Sequence, residues 1–248
     1  MAESDVSSAG DPVSAPQKVA IVTGGSQGIG AAVVEAFRGE GYAVIAAALV
    51  MDQSSDPGLI AVTGDIADPG TAQRIVDEAR TRFGRVDSLV NNAGIYIGKP
   101  FTDYTLDDFA AITAVNLAGF FHMTQRVIPL MIDQGGGHVV NVSTSLVDQP
   151  DQTRPCGLAA LTKGGLAAVT RSLAIEYAAH RVRFNAVSLG VIKTEMHDPH
   201  SYDGLAELHP LRRLGNVGDV ADGIRYLERA TFVTGEILHI DGGQSAGH

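Results

Sequence analysis

Lys18-Val-Ala-Ile-Val-Thr-Gly-Gly-Ser-Gln-Gly-Ile-Gly30 decides how the rest of the chain is read. It opens as a short apolar run closed by glycines, the mark of a strand buried on both faces. Ile29 to Glu40 then carries helical periodicity and closes at Gly41, a residue suited to a helix C-terminus. The spacing Gly24-xxx-Gly28-x-Gly30 therefore stands at a strand-to-helix turn. Such glycines permit a tight turn and let a diphosphate approach the backbone, where the free N–H groups of the helix N-terminus receive its charge. A plain glycine turn carries the same residues, so the weight rests on what surrounds them.

Working outward, strands and helices alternate. Ala43 to Leu49, Leu59 to Thr63, Val86 to Val90, His138 to Val142, Val182 to Val187 and Glu236 to Ile240 read as further buried strands. Thr71 to Phe83, Leu106 to Ile132, Leu158 to Ala179 and Val217 to Glu228 carry the helical period, with stops at Gly84 and at Gly135-Gly-Gly137. This alternation makes right-handed βαβ units. The fold class is α/β: a doubly wound, mostly parallel seven-stranded sheet with helices on both faces, the Rossmann fold. Residues 1–16, rich in Ala, Ser, Asp and Pro, have little to bury and read as a flexible tail. No composition break divides 17–248, which reads as one domain, with the glycine turn as its dinucleotide-binding element.

Composition narrows the function. The 248 residues are 45% hydrophobic and 19% charged, an ordinary globular balance. A net charge of −10 argues against nucleic acid and anionic membrane as partners. No run approaches the ~20 apolar residues of a spanning helix, and no signal-peptide pattern opens the chain. A lone cysteine, Cys156, makes neither an intrachain disulfide nor a cysteine-rich metal site, and points to a reducing, cytoplasmic setting.

Further motifs follow in order: Asn91-Asn92-Ala93-Gly94, Asn116 in Ala114-Val-Asn-Leu117, Asn141-Val-Ser-Thr144, Lys163 with Gly164-Gly-Leu-Ala-Ala-Val-Thr-Arg-Ser-Leu-Ala174, Asn185-Ala-Val-Ser-Leu-Gly190 with Lys193-Thr194, Val233-Thr-Gly-Glu236 and Asp241-Gly-Gly243. Together with the glycine turn they resemble the short-chain dehydrogenase/reductase family, over essentially the whole chain after the tail. The resemblance implies an NAD(P)-dependent oxidoreductase acting on a small-molecule carbonyl or alcohol. It implies that Gly24, Ser26, Gln27, Gly28, Ile29 and Gly30 cradle the cofactor diphosphate. Asp65, beside Ile66, would face the adenine amino group, and Asn92, Ala93 and Gly94 would line the adenosine ribose and diphosphate. Lys163 would bind the nicotinamide ribose, and Thr194, with backbone groups of Ile192, the carboxamide. For Asp65 a simple loop carboxylate, and for Thr194 a helix cap, are the alternatives. The second strand ends in Ala46-Ala-Ala-Leu49, without the acidic residue that selects NAD or the arginine that accepts the NADP phosphate. With no carboxylate to repel that phosphate, NADP is favoured slightly over NAD.

The resemblance also implies a catalytic row: Asn116 holding a relay water, Thr144 polarising the substrate carbonyl, and Lys163 lowering the pKa of a tyrosine phenol four residues earlier. Residues i and i+4 share one helix face, and a phenol of pKa near 10 is a poor base at neutral pH without a cation beside it. Here that position is Ala159, and a methyl group carries no proton. The usual proline before Gly190 is Leu189, a change expected to loosen the loop over the nicotinamide. Three readings follow. The chain is an enzyme using another acid: water relayed through Asn116 and Lys163, Lys163 itself, Cys156 or a lid histidine. Or it is a dinucleotide-binding pseudoenzyme or scaffold with little turnover. Or its site serves another reaction.

The lid, Glu195 to His209, carries His197, His200 and His209, read as surface residues rather than metal ligands. The long helices at Leu106 to Ile132 and Leu158 to Ala179 are apolar or small on more than one side, and a second stripe is best buried by a symmetry mate. The resemblance implies a homotetramer built through them.

Overall fold

The protein is described by a computed structural model covering residues 16–247, so the expected tail lies almost wholly outside the described residues. β1 (Val19–Thr23) is buried along its whole length, as the unbroken apolar run requires. It is joined by β2 (Ala43–Ala48), β3 (Leu59–Thr63), β4 (Ser88–Asn91), β5 (Gly137–Thr144), β6 (Val182–Leu189) and β7 (Ile237–Ile240). They form one sheet in the order β3-β2-β1-β4-β5-β6-β7. Every pairing is parallel, so the sheet is wholly rather than mostly parallel. The order reverses between β1 and β4, and the crevice beyond the carboxyl ends of such strands is where open α/β sheets take ligands.

The helices are α1 (Gly28–Gly39), α2 (Pro69–Phe83), α3 (Leu106–Thr113), α4 (Gly119–Asp133), α5 (Gly157–Glu176), α6 (Tyr202–Ala206) and α7 (Val217–Arg229). Val33 and Phe37 of α1 and Ile224 and Leu227 of α7 bury one face of the sheet. Ile75 of α2, Val127 and Met131 of α4 and Ala174 of α5 bury the other. No helix among the described residues is long and apolar enough to cross a membrane.

Two departures from the sequence reading matter. The pattern at Leu106 to Ile132 is not one helix: a π-helical segment, Ala114–Ala118, separates α3 from α4. A π turn takes in one extra residue, and such segments collect at functional sites. β6 runs on past the expected Val187 to Leu189. Leu189 is its buried last residue, in register with Thr144 and Ile240.

Buried polar side chains fix the helices on the sheet. Asn91 Nδ2 donates to Thr124 of α4 (3.1 Å) and to Asn141 Oδ1 of β5 (2.9 Å), and Asn141 Nδ2 donates to Thr170 of α5 (2.8 Å). Arg183 donates to the carbonyls of Leu227, Glu228, Ala230 and Val233, satisfying groups that the end of α7 leaves open.

Candidate active site

A cleft of about 720 Å³ opens over the carboxyl ends of the central strands. Gly24, Ser26, Gln27, Gly28, Ile29, Gly30, Asp65, Ile66, Asn92, Ala93, Gly94, Thr144, Lys163, Ile192 and Thr194 all line it. Of the expected site residues, Asn116 alone lies behind the wall.

The glycine turn is built for close approach. Gly24 and Gly28 have φ of 67° and 54°, and a Cβ on Gly30 would lie 1.9 Å from the Gly24 carbonyl oxygen. Thr23 Oγ1 accepts from the N–H groups of Asn92 and Ala93 (3.1 and 3.0 Å), and Asn92 Nδ2 donates to the carbonyls of Thr23 and Gly24 (2.9 and 3.2 Å). Asn92 therefore holds the turn in shape. The N-terminus of α1 has no side-chain cap from Gln27 and no acidic residue in its first turn. Its open N–H groups and positive dipole end fit a diphosphate. One group opposes this: a Cβ on Gly28 would lie 3.5 Å from the Glu195 carboxylate.

Asp65 lies in the cleft wall, but its Oδ1 accepts from the Ala67 N–H at 2.9 Å, so it also serves as a turn residue. Ala47, Ala48, Leu49 and Val50 line the cleft at the end of β2 and bring no charge to it.

At the other end, the three hydroxyls after Val142 divide their work. Ser143 Oγ donates to the Lys163 carbonyl (3.1 Å), and Ser145 Oγ is bonded to the Leu189 carbonyl (3.1 Å) and Gln244 Oε1 (2.8 Å). Thr144 Oγ1 accepts from the Leu146 N–H at 3.4 Å and keeps its proton for the cleft. Lys163 Nζ donates to the Val142 carbonyl at 2.8 Å. Its ammonium is packed among protein atoms, and burial pulls its pKa down to about 8.

The side-chain amide of Asn116 is committed to its neighbours. Its Oδ1 accepts from the Ile95 N–H (2.9 Å), and its Nδ2 is shared between the Ile95 carbonyl (3.1 Å) and Thr162 Oγ1 (3.2 Å). The buried amide has no donor left for a water. It positions the Gly94–Ile95 loop, and a Cβ on Gly94 would lie 2.9 Å from Lys163 Nζ. The π segment carries Asn116 to this place.

Ala159 is buried in a small cluster with Ile112, Cys156 and Leu158 and lines the cleft. Cys156 is buried, and burial pushes its thiol up, which makes it a poor nucleophile. Of the lid histidines, His209 is not a surface group: it is buried, and its Nε2 accepts from the Val191 N–H at 2.9 Å. His197 is half-buried in the cleft wall, and His200 is exposed. Sequence reasoning missed Tyr96 and Arg154, which line the same cleft from loops that carry no periodic signal.

The family model described as enoyl-(acyl carrier protein) reductase matches residues 24–245. The chain belongs to the short-chain dehydrogenase/reductase family. Among curated members, a 3-oxoacyl-[acyl-carrier-protein] reductase of Thermotoga maritima is 34% identical over 242 residues, 91% of this chain and 97% of that protein. A glucose 1-dehydrogenase of Gluconobacter oxydans is 33% identical over 248 residues, 91% of each chain. Among solved structures, ElxO with NADP bound superposes with a TM-score of 0.87 at 29% identity, covering 93% of this chain and all of that one. A 3-ketoacyl-(acyl-carrier-protein) reductase from Brucella melitensis complexed with NADH gives 0.84 at 28%, covering 93% and 99%.

Proposed function

We propose that the protein is an NAD(P)-dependent oxidoreductase that interconverts a small carbonyl compound and its alcohol, in an active site that works without a phenol. The observation that carries this reading is the row itself. An uncapped helix N-terminus, a hydroxyl proton at Thr144 and a buried ammonium at Lys163 face one cleft, and only the residue at Ala159 is out of kind.

When bound, the nicotinamide supplies or accepts a hydride at the carbonyl carbon. The chain's part is to hold the oxygen and move a proton. Thr144 donates to the carbonyl oxygen and draws charge onto it. Lys163, with a pKa near 8, is mostly protonated at neutral pH, so it is an acid of suitable strength. A water in the space beside the Ala159 methyl group carries its proton to the forming alkoxide. Lys163 also binds the nicotinamide ribose, and Thr194 and Ile192 the carboxamide. Relay through water is slower than a positioned phenol, because general acid catalysis is worth about 10²–10⁴-fold.

The uncharged end of β2 favours NADP slightly, since nothing there repels its phosphate. ElxO has NADP bound and the Brucella protein NADH, so both forms are in use among relatives. Titrating the protein with NADPH and NADH and following nicotinamide fluorescence tests the reading. Gly28→Val, at a left-handed φ, should weaken binding at least about tenfold. A folded variant that binds NADPH as tightly as the parent removes the glycine turn from the cofactor site. A pseudoenzyme is the second reading, favoured by Ala159, the uncharged end of β2 and Leu189. It requires NADPH binding with no turnover.

The assembly in this reading is a homotetramer in the cytoplasm. Its support is a stripe on the outer face of α5, where Leu161, Gly165, Ala168, Ser172 and Ile175 recur at intervals of three and four and are all exposed in the single chain.

A further inference from the structure

Arg154 brings to the cleft a positive charge that the proposed reaction leaves unused. It stands in the loop between β5 and α5 and lines the cleft with Tyr96, Leu146, Ala159 and His197. Its Nε is buried with no hydrogen-bond partner among the described residues. A buried guanidinium N–H without an acceptor is costly to leave unmade. The charge reaches its neighbours. At His197 it adds to burial in lowering the pKa, and at Tyr96 it works against burial, which holds the phenol up. The imidazole is thereby kept neutral and the phenol protonated, so each can donate a hydrogen bond. Ile95, Leu146, Met196, Leu205 and Leu208 make the surrounding wall apolar.

We infer that Arg154 anchors a carboxylate on the substrate, so that the protein acts on an oxo acid or the matching hydroxy acid. The guanidinium fork matches a planar carboxylate in two parallel hydrogen bonds. Tyr96 and His197 stand beside it as further donors. The apolar chain of the substrate lies along Leu146 and Leu205, clear of the space beside Ala159. Its carbonyl then reaches Thr144 and Lys163. The carbonyl end of this inference rests on the oxidoreductase reading above; the carboxylate end rests on Arg154.

The test is calorimetric titration of the full chain, with and without NADPH, using the series from 4-oxopentanoate to 9-oxodecanoate and the methyl ester of each. The best acid should bind the parent at least about tenfold more tightly than its ester. Arg154→Met should bring that acid down to the level of the ester, and Arg154→Lys should keep part of the preference, with NADPH affinity reporting that each variant is folded. Equal binding of acid and ester by the parent overturns the inference, whatever the variants do. A preference that survives Arg154→Met overturns it too, and hexyl phosphate binding more tightly than every acid overturns the choice of carboxylate. A parent that shows the acid preference but binds no dinucleotide overturns the oxidoreductase reading and leaves the role of Arg154 standing.

Discussion

Lys163 and Glu195 show how single side chains set the chemistry of this cleft. Lys163 is an acid only while protonated, and burial lowers its pKa to about 8. The rate of carbonyl reduction should therefore be level below that pH and fall tenfold per unit above it. Lys163→Met should be slower by about 10²-fold and lose this alkaline limb, as steady-state rates between pH 6 and 10 will show. A parent rate that rises with pH would remove Lys163 as the proton source. Glu195 is exposed and its carboxylate lies beside the glycine turn, where the diphosphate must come. Glu195→Gln should tighten NADPH binding a few-fold at low salt and less at high salt, because the repulsion it removes is screened. Equal affinities at low salt would mean that the carboxylate swings clear at no cost.

At the scale of the element, what a periodic pattern can carry was legible and what a local side-chain bond decides was not. Each strand and long helix, and the glycine turn, announces itself through burial with a period of two, none or 3.6. The π segment does not, because a slip of one position is lost in a pattern that is apolar or small on more than one side. The roles of Asn92 and Asn116 were legible only as motif letters. That Asn92 spends its amide on backbone, and Asn116 on the Ile95 backbone and the Thr162 hydroxyl, follows from segments brought together across β1, β4 and α5. The polar knot toward the amino ends of the strands was equally hidden. His138 of β5 donates from Nδ1 to Glu228 Oε2 of α7 (2.8 Å) and accepts at Nε2 from Asn185 Nδ2 of β6 (2.9 Å), while Tyr42 Oη donates to Glu228 Oε1 (2.9 Å). Burial holds His138 below its ordinary pKa. Glu228 is pushed up by burial, but bonds from His138 and Tyr42 outweigh this and hold its carboxyl below the usual range. Unfolded chain takes up the histidine proton near pH 6.5 and the carboxyl proton near 4.5 while folded chain resists both, so stability is lost as pH falls from about 6.5. The urea midpoint should drop between pH 7 and pH 4, and Glu228→Ala should cost about 3 kcal/mol at pH 7. A midpoint that holds steady on acidification contradicts the assignment of a neutral histidine and an ionised glutamate.

Across the whole molecule, two surfaces remain to be accounted for. The α5 stripe is predicted to be the centre of a subunit interface. The parent should sediment as a tetramer at micromolar concentration, and Ala168→Glu should split it, since a buried unpaired charge costs several kcal/mol. A monomeric parent would contradict this directly. The other surface is the cleft, whose parts come from both halves of the chain: the turn after β1, the end of β5, the face of α5 and the lid after β6. In the proposed function these parts are aligned for hydride transfer and one phenol is missing. Ala159→Tyr restores a hydroxyl one helical turn before Lys163. The decisive measurement is the rate of NADPH oxidation with small diketones for the parent, Ala159→Tyr, and Ala159→Tyr combined with Lys163→Ala. The parent should be slow, Ala159→Tyr should be at least about tenfold faster, and the double variant should lose that gain. No gain in a variant that still binds NADPH, or a gain that survives the loss of Lys163, would contradict the proposed function.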